Sequence, residues 1–552
     1  MSNPILFKMN ILSFSIRKNL LPLLVLVSFG TFAQEKSDTT SLIDKIFSRY
    51  KAENPGCQFS LSSNGKILFA KAWGTANLED GTPLNTNSIM EAGSVSKQFT
   101  AAAILLLEQQ GKLSLDDDVR KYLPELPVYS HTIRIKHLIH HTSGIKDWGS
   151  IAELTGWGRG TKVYSNADAL EIVAQQKTLN NIPGAEFLYS NSNYNLMAII
   201  VQRTSGLSLP DYTRKYIFIP AGMEHTSWRS NFKTIVKNRA IAYAKTDDSY
   251  EIDMPNENAY GNGGLLTTTE DLLKWNNFYL SGKLGGPALL KKQIALDTFN
   301  NGLPNYYAAG LFIQTHNGLK VIRHSGATGS YRCYLEYYPA LNLSMAWLSN
   351  TSQFDTARYD VINEVEKLFL KKPIAPESKT DQEINLPTEK LKAYEGWYRN
   401  EKTGEGRQLL LKDGKLLFNN QAPLTPLSNN LFKMGGDKVA FDKDKGFKLI
   451  NSDQDTILFR PVPAATKDLK EYTAKYFSDE SKSWLTIALK NDTLLMNMNS
   501  YTSYSLKPTY KDGFIIQNFG GIMYFERDQK GKIIKLKISQ SRARNVAYTK
   551  TQ

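Results

Sequence analysis

The sequence predicts an α/β domain of the α+β kind, an antiparallel sheet beside a helical lobe, followed by an all-β C-terminal domain that closes as a small barrel. Strand patterns stand at both ends of the first 370 residues, and helical patterns fill the middle. A proline-bearing break at 371–389 then leads into short alternating strands that repeat. At 552 residues the chain exceeds what one core supports, roughly 250 to 300 residues, so at least two domains are expected.

In chain order, Arg17-Lys18, the apolar stretch Leu20 to Phe29 and Thr31-Phe32-Ala33 read as a secretory leader over 1–33, cleaved after Ala33. The apolar stretch is too short to span a bilayer comfortably, so the mature chain is expected in a periplasm or secreted. The domain 34–370 opens with a helical pattern from Ser41 to Tyr50. Cys57 to Ser62, the turn Asn64-Gly65 and Ile67 to Trp73 follow as a hairpin. Helical spacing dominates from Lys97 to Trp275. Strand patterns return at Ala309 to Gln314, Leu319 to Arg323, Arg332 to Tyr338 and Leu343 to Leu348, before a helix from Thr356 to Leu370. Strands so far apart must meet in one sheet, with a site expected where the sheet meets the lobe.

Pro373, Pro376 and Pro387 mark 371–389 as a linker. In the domain 390–552, Leu391-Lys392-Ala393-Tyr394 with Tyr398 matches Leu469-Lys470-Glu471-Tyr472 with Tyr476. Lys412 with Leu416-Leu417 matches Lys490 with Leu494-Leu495 at the same offset. This is a two-fold repeat of units of roughly eighty residues, each with about four short strands.

Lys and Arg number 67 against 53 Asp and Glu, a formal charge of +14. The leader holds about +3 of it and residues 391–552 about +10, which leaves the middle near neutral. The basic C-terminal part has two readings, attraction to an anionic envelope surface or polymer, and lysine-rich strand faces in water. No basic stretch interleaved with aromatics occurs, so nucleic acid is not an expected partner. Two cysteines, Cys57 and Cys333, exclude a disulfide scaffold and a cysteine-rich zinc site; two separate buried thiols are expected. The sequence sets no oligomeric state.

Three short motifs carry the chemistry: Ser94-Val95-Ser96-Lys97, Tyr189-Ser190-Asn191 and His324-Ser325-Gly326. A serine hydroxyl is a weak nucleophile at neutral pH and requires a base and an oxyanion site around it. Ser-x-x-Lys also occurs at Ser15, Ser63 and Ser230, Tyr-x-Asn at Tyr260/Asn262 and Tyr398/Asn400, and His-x-Gly at His316/Gly318. Context separates candidate from decoy. Only Ser94 opens an amphipathic helix, with Phe99, Ala102, Ala103, Leu106 and Leu107 at helical spacing and a stop at Gly111. Lys97 then lies one turn on, beside the Ser94 hydroxyl. Tyr189 sits in a loop that enters a helix. His324 ends the strand-like run Leu319 to Arg323, and Gly326-Ala327-Thr328-Gly329 leaves the backbone uncrowded before the next strand.

In this order and context the motifs resemble the serine β-lactamase and penicillin-binding-protein superfamily, whose signature is Ser-x-x-Lys, Tyr-x-Asn or Ser-x-Asn, and Lys-Thr-Gly. The similarity covers roughly residues 45 to 365. It points to the β-lactamase-related serine hydrolases, which include class C β-lactamases, DD-carboxypeptidases, D-aminopeptidases and esterases. His137-Leu138-Ile139-His140-His141-Thr142-Ser143-Gly144, Gly222-Met223-Glu224-His225-Thr226 and Gly263-Gly264-Leu265 are similar to the same group. The C-terminal strands resemble the lipocalin-like domain attached to some of these hydrolases, in the role of a cap, an oligomerisation module, a ligand binder or a structural appendage.

The resemblance implies that Ser94 is acylated while Lys97, with a lowered pKa, accepts its proton. Tyr189 would be partner base or proton relay, and the order of the two bases stays open. Asn191, His324, Gly326 and Ala327 would contact substrate, with the N–H groups of Ser94 and Ala327 as the oxyanion hole. The scheme needs no metal and no cofactor, and His137, His140 and His141 are read as structural. No glutamate is obviously placed for deacylation; Glu186 is the nearest in sequence to Tyr189.

The departure is His324, where drug-hydrolysing relatives carry lysine. A neutral histidine there moves the expected substrate from β-lactams toward a small ester, amide or D-amino-acid peptide. The alternatives are a DD-carboxypeptidase or weak β-lactamase, and a non-catalytic sensor or binding module.

Overall fold

The computed structural model describes residues 39–353, 357–370, 381–451, 456–466 and 468–551. The leader expected over 1–33 and the first half of the linker lie outside these residues. The central sheet has six antiparallel strands in the order Phe312–His316, Leu319–Thr328, Tyr331–Tyr338, Leu343–Ser349, Cys57–Ser63, Lys66–Trp73. The N-terminal hairpin therefore pairs onto the last strand of the C-terminal meander, Cys57 opposite Ser349, as the split strand pattern requires.

Period-2 alternation decides which face each residue serves. Cys57, Phe59 and Leu61 point to one face, where Ile43 and Phe47 of the helix over 39–47 and Val361, Ile362 and Val365 of Ala357–Phe369 cover them. Gln58 and Ser60 point to the other face, toward the lobe. There Gln58 Nε2 donates to Ser88 O at 2.6 Å, and Ser60 Oγ lies 2.7 Å from Thr269 Oγ1. The two cysteines follow the same rule. Cys333 lies opposite Leu348 and Cys57 opposite Ser349, so the two project from opposite faces of the sheet with a strand between them. Both are buried and free.

The lobe is built around Lys97–Gln109, buried from Lys97 to Leu107 and packed against Asn191–Ser205 and Thr269–Leu280. One strand runs further than its pattern suggests. Leu319–Thr328 continues through His324 and turns only at Gly329-Ser330, whereas the sequence reading ended it at Arg323. The glycine-rich segment is extended backbone paired to its neighbour, with Ala327 opposite Arg332.

The all-β part divides in two, and each unit has more strands than the sequence pattern suggests. Residues 396–462 form a nine-stranded sheet, and Ala474–Ser478 to Ala543–Lys550 form a separate closed barrel of eight strands. The repeat is structural. Tyr398 Oη donates to Tyr394 O at 2.8 Å, and Tyr476 Oη donates to Tyr472 O at 3.0 Å, the same bond at the entrance of each unit. The barrel interior is filled by side chains such as Leu485, Met496, Met523, Leu536 and Tyr548.

The closed barrel is docked on the lobe by apolar and polar contacts together. Ile151 and Leu154 of the helical lobe enter the barrel's core cluster. Beside them the buried Lys146 Nζ donates to Glu480 Oε2 at 2.7 Å, while the other oxygen of Glu480 accepts from the N–H groups of Lys177 and Thr178. A buried ion pair needs such extra hydrogen bonds to offset desolvation.

Candidate active site

Ser94 lies in a single 3-10 turn, Gly93–Ser96, that runs directly into Lys97–Gln109. The helical phase brings Lys97 Nζ to 3.1 Å from Ser94 Oγ. The amine also donates to Asn191 Oδ1 at 3.0 Å and to Asn262 O at 2.5 Å, and the lysine is wholly buried. Among the described residues no carboxylate pairs with it. Burial first, then the guanidinium groups of Arg542 and Arg159, push its pKa well below that of an ordinary lysine, against a smaller opposing effect of Asp147.

Asn191 is positioned by the start of its helix. Asp147 Oδ2 accepts its N–H at 2.6 Å while Asp147 Oδ1 caps Trp148–Glu153 through Gly149 and Ser150. Tyr189 stands over the amine, its ring centroid 4.8 Å from Lys97 Nζ. Burial raises its phenol well above the usual range, only partly offset by a hydrogen bond from Ser94 and the charge of Arg542.

His324 is buried with both ring nitrogens engaged. Nδ1 lies 2.6 Å from Ser325 O, an obligate acceptor, so Nδ1 carries the proton. Nε2 then accepts from Tyr307 Oη at 3.0 Å. Burial and the neighbouring Lys97 hold the imidazole pKa down to about 3, so it is neutral at pH 7. It offers no cation to a substrate.

The strand edge carrying Gly326 and Ala327 runs beside the serine. The strand Phe312–His316 pairs only with residues 319–323, which leaves 324–328 free of a strand partner on that side. A Cβ on Gly326 would fall 2.0 Å from Ala92 O and 3.0 Å from Ser94 N. Gly326→Ala is therefore expected to push the edge away from the nucleophile at a cost of about 1–3 kcal/mol, read as a lowered Tm together with lost activity.

These residues line one cavity of about 400 Å³ that also takes in Phe187, Phe312, Arg159, Asn262 and Arg542. The structure thus brings Ser94, Tyr189, Asn191, His324, Gly326 and Ala327 to one pocket, with Lys97 directly behind Ser94. Glu186 is elsewhere engaged, bonded to Arg544 at 2.6 Å and Lys402 at 3.0 Å, and is no base for a deacylating water. His140 and His141 serve packing, through Tyr307 O and the Ser190 N–H respectively.

Sequence reasoning set Asn262 aside as part of a decoy Tyr-x-Asn, yet its carbonyl holds Lys97 and its amide oxygen accepts from Asn195 Nδ2. Its proximity to Gly263-Gly264 was the available signal. Asp147, Arg159 and Arg542 carried none, because each reaches the site from a distant segment.

The model of the β-lactamase family matches residues 43–367, more than half of the chain. The chain belongs to the β-lactamase family. With Ser94 and Lys97 in contact at its centre, it is a serine hydrolase of the β-lactamase and penicillin-binding-protein superfamily. Penicillin-binding protein 4* of Bacillus subtilis is 27% identical over 347 residues, which cover 58% of this chain and 74% of the relative. The octameric penicillin-binding protein homologue from Pyrococcus abyssi is 25% identical with a TM-score of 0.51, covering 78% of this chain and all of that one. D-amino acid amidase from Ochrobactrum anthropi shares the fold at 18% identity and a TM-score of 0.52, covering 61% of this β-lactamase-family chain and 98% of its own.

Proposed function

We propose that this chain is an exported serine hydrolase acting through an acyl-Ser94 intermediate on a small ester, amide or D-amino-acid peptide. The observation that carries the reading is Lys97 Nζ at 3.1 Å from Ser94 Oγ with no carboxylate partner among the described residues. An amine so held is neutral at a pH where an ordinary lysine is charged, and can take the serine proton. Ser94 Oγ attacks the carbonyl as its proton passes to Lys97. The oxyanion forms between the Ser94 and Ala327 N–H groups. Collapse then expels the leaving group, which takes its proton from Tyr189 Oη, and Tyr189 recovers one from Lys97. A raised phenol pKa suits Tyr189 to donation in this step and favours Lys97 as the first base. Water repeats the sequence on the ester. The leader residues Arg17 to Ala33 support export.

A panel of p-nitrophenyl esters, D-amino-acid amides and a chromogenic cephalosporin tests the proposal. Turnover of an ester or amide, with a trapped adduct mapping to the peptide that holds Ser94, is expected. Failure of every panel member to turn over or leave an adduct sinks it. Preferential acylation by the cephalosporin would favour the DD-carboxypeptidase or weak β-lactamase reading, toward which the name of the Bacillus relative points.

A further inference from the structure

Arg542 sits in the turn between the last two barrel strands, Ile533–Gln540 and Ala543–Lys550, and lines the Ser94 pocket. The turn is fixed from both sides. Arg542 O accepts from Asp147 N and from Asn180 Nδ2, each at 3.1 Å, and Arg544 N donates to Asn180 Oδ1 at 2.7 Å. The side chain is spent on none of this. Its guanidinium lies 4.8 Å from the Tyr189 ring centroid and, among the described residues, has no ion-pair partner. Three carboxylates stand nearby, each with other partners. Asp147 is bonded to three backbone N–H groups, Glu257 faces the pocket's other arginine, Arg159, and also Arg229, and Glu153, which feels the charge of Arg542 without an ion pair to it, accepts from Gln540 Nε2 at 3.1 Å.

A guanidinium with no ion-pair partner, stacked on Tyr189 at the wall of a pocket, is a ready receptor for an anion, above all a carboxylate that matches its fork. His324, at the position where drug-hydrolysing relatives place a lysine, is neutral and already bonded, so among the described residues Arg542 is the pocket's cation without an ion-pair partner. Phe187 and Phe312 give the same cavity an apolar wall.

We propose that the substrate carries a carboxylate beside an apolar group, and that Arg542 of the closed C-terminal barrel is the residue that binds the carboxylate. The inference rests on reading the Ser94 pocket as the substrate site. A bound carboxylate would also offset the field of Arg542 at Lys97, raising the amine's proton affinity as it must take the serine proton. The carboxylate has two possible sources, the α-carboxylate of a terminal residue or an acidic side chain.

The test is binding to the full chain bearing Ser94→Ala, which needs no chemistry. Calorimetric titration would use N-acetyl-D-phenylalanine, its amide, and N-acetyl-D-isoglutamine, whose only carboxylate is on the side chain. At least one acid is expected to bind about tenfold or more tightly than the amide. Arg542→Gln should remove that preference and Arg542→Lys retain part of it, with Tm unchanged because the backbone contacts of the turn remain. The tighter acid identifies the source. Equal binding of acids and amide, no binding of either acid at millimolar concentration, or a preference that survives Arg542→Gln overturns the proposal. Acylation of Ser94 by the ester panel without acid preference leaves the hydrolase reading standing and removes Arg542; acid preference without acylation does the reverse.

Discussion

Ser94→Ala is expected to lower kcat/KM on the preferred ester or amide by about 10⁴-fold or more, with no covalent adduct from a fluorophosphonate probe. The argument is chemical and local. Among the described residues no other hydroxyl is a hydrogen-bond partner of Lys97 Nζ, so no substitute nucleophile stands next to the base there. The methyl group leaves the fold intact, since Ser94 contributes its hydroxyl to the pocket and not to the core. Equal labelling of wild type and variant, located by peptide mapping, would show that a different residue is acylated.

Lys97→Met should cost on the order of 10³-fold in kcat, the scale of a lost general base, while Tm holds or rises. A buried amine without a carboxylate partner is expensive, and an apolar side chain of similar length removes that cost. Lys97→Arg separates charge from basicity: a guanidinium cannot give up its proton, so it restores the positive charge and leaves the enzyme inactive.

The same amine sets the pH profile. Since its pKa is depressed, the neutral form persists to lower pH than for an ordinary lysine, and activity falls only as acid protonates it. The groups facing it are Arg542, Arg159 and Asp147, the imidazoles of His324 and His141, whose pKa values burial lowers, and the rings of Tyr189 and Tyr194, whose phenols burial raises. Arg542 is the largest charged contributor, so Arg542→Gln should move the acid limb of kcat/KM to higher pH.

Much of the site was legible because its parts obey local rules. Ser94 and Lys97 are three residues apart on one helix, so helical phase alone places the amine beside the hydroxyl. The six-stranded sheet followed from alternation at both ends of the domain, since strands with one apolar face must meet a partner. His324 lines the pocket, but its strand runs on to Thr328; Ser-Gly-Ala reads as loop, whereas here Gly326 is needed because another backbone passes within van der Waals contact. The repeat announced two C-terminal units, but their strand number and their separation into an open sheet and a closed barrel were hidden, because short strands of two to five residues such as Thr425–Pro426 and Asp437–Phe441 leave too little periodicity to count. Asn262 and Arg542 were missed for a deeper reason. One contributes a carbonyl, which every residue possesses, and the other arrives through a tertiary contact that no local pattern encodes.

The docking of the barrel on Lys146, Ile151 and Leu154 has a consequence for the order of events during biosynthesis. Lys146 meets Glu480 across 334 residues of chain, and Leu154 meets Tyr548 across 394. A ribosome releases the lobe long before it releases the surface that covers it. Until then a lysine destined for burial and two large aliphatic side chains face water, and Arg542 has not been made. The nascent lobe accordingly exposes apolar surface and lacks the arginine of its pocket; Glu480, from the barrel's first hairpin, is made before Arg542 and Tyr548, which come with the last.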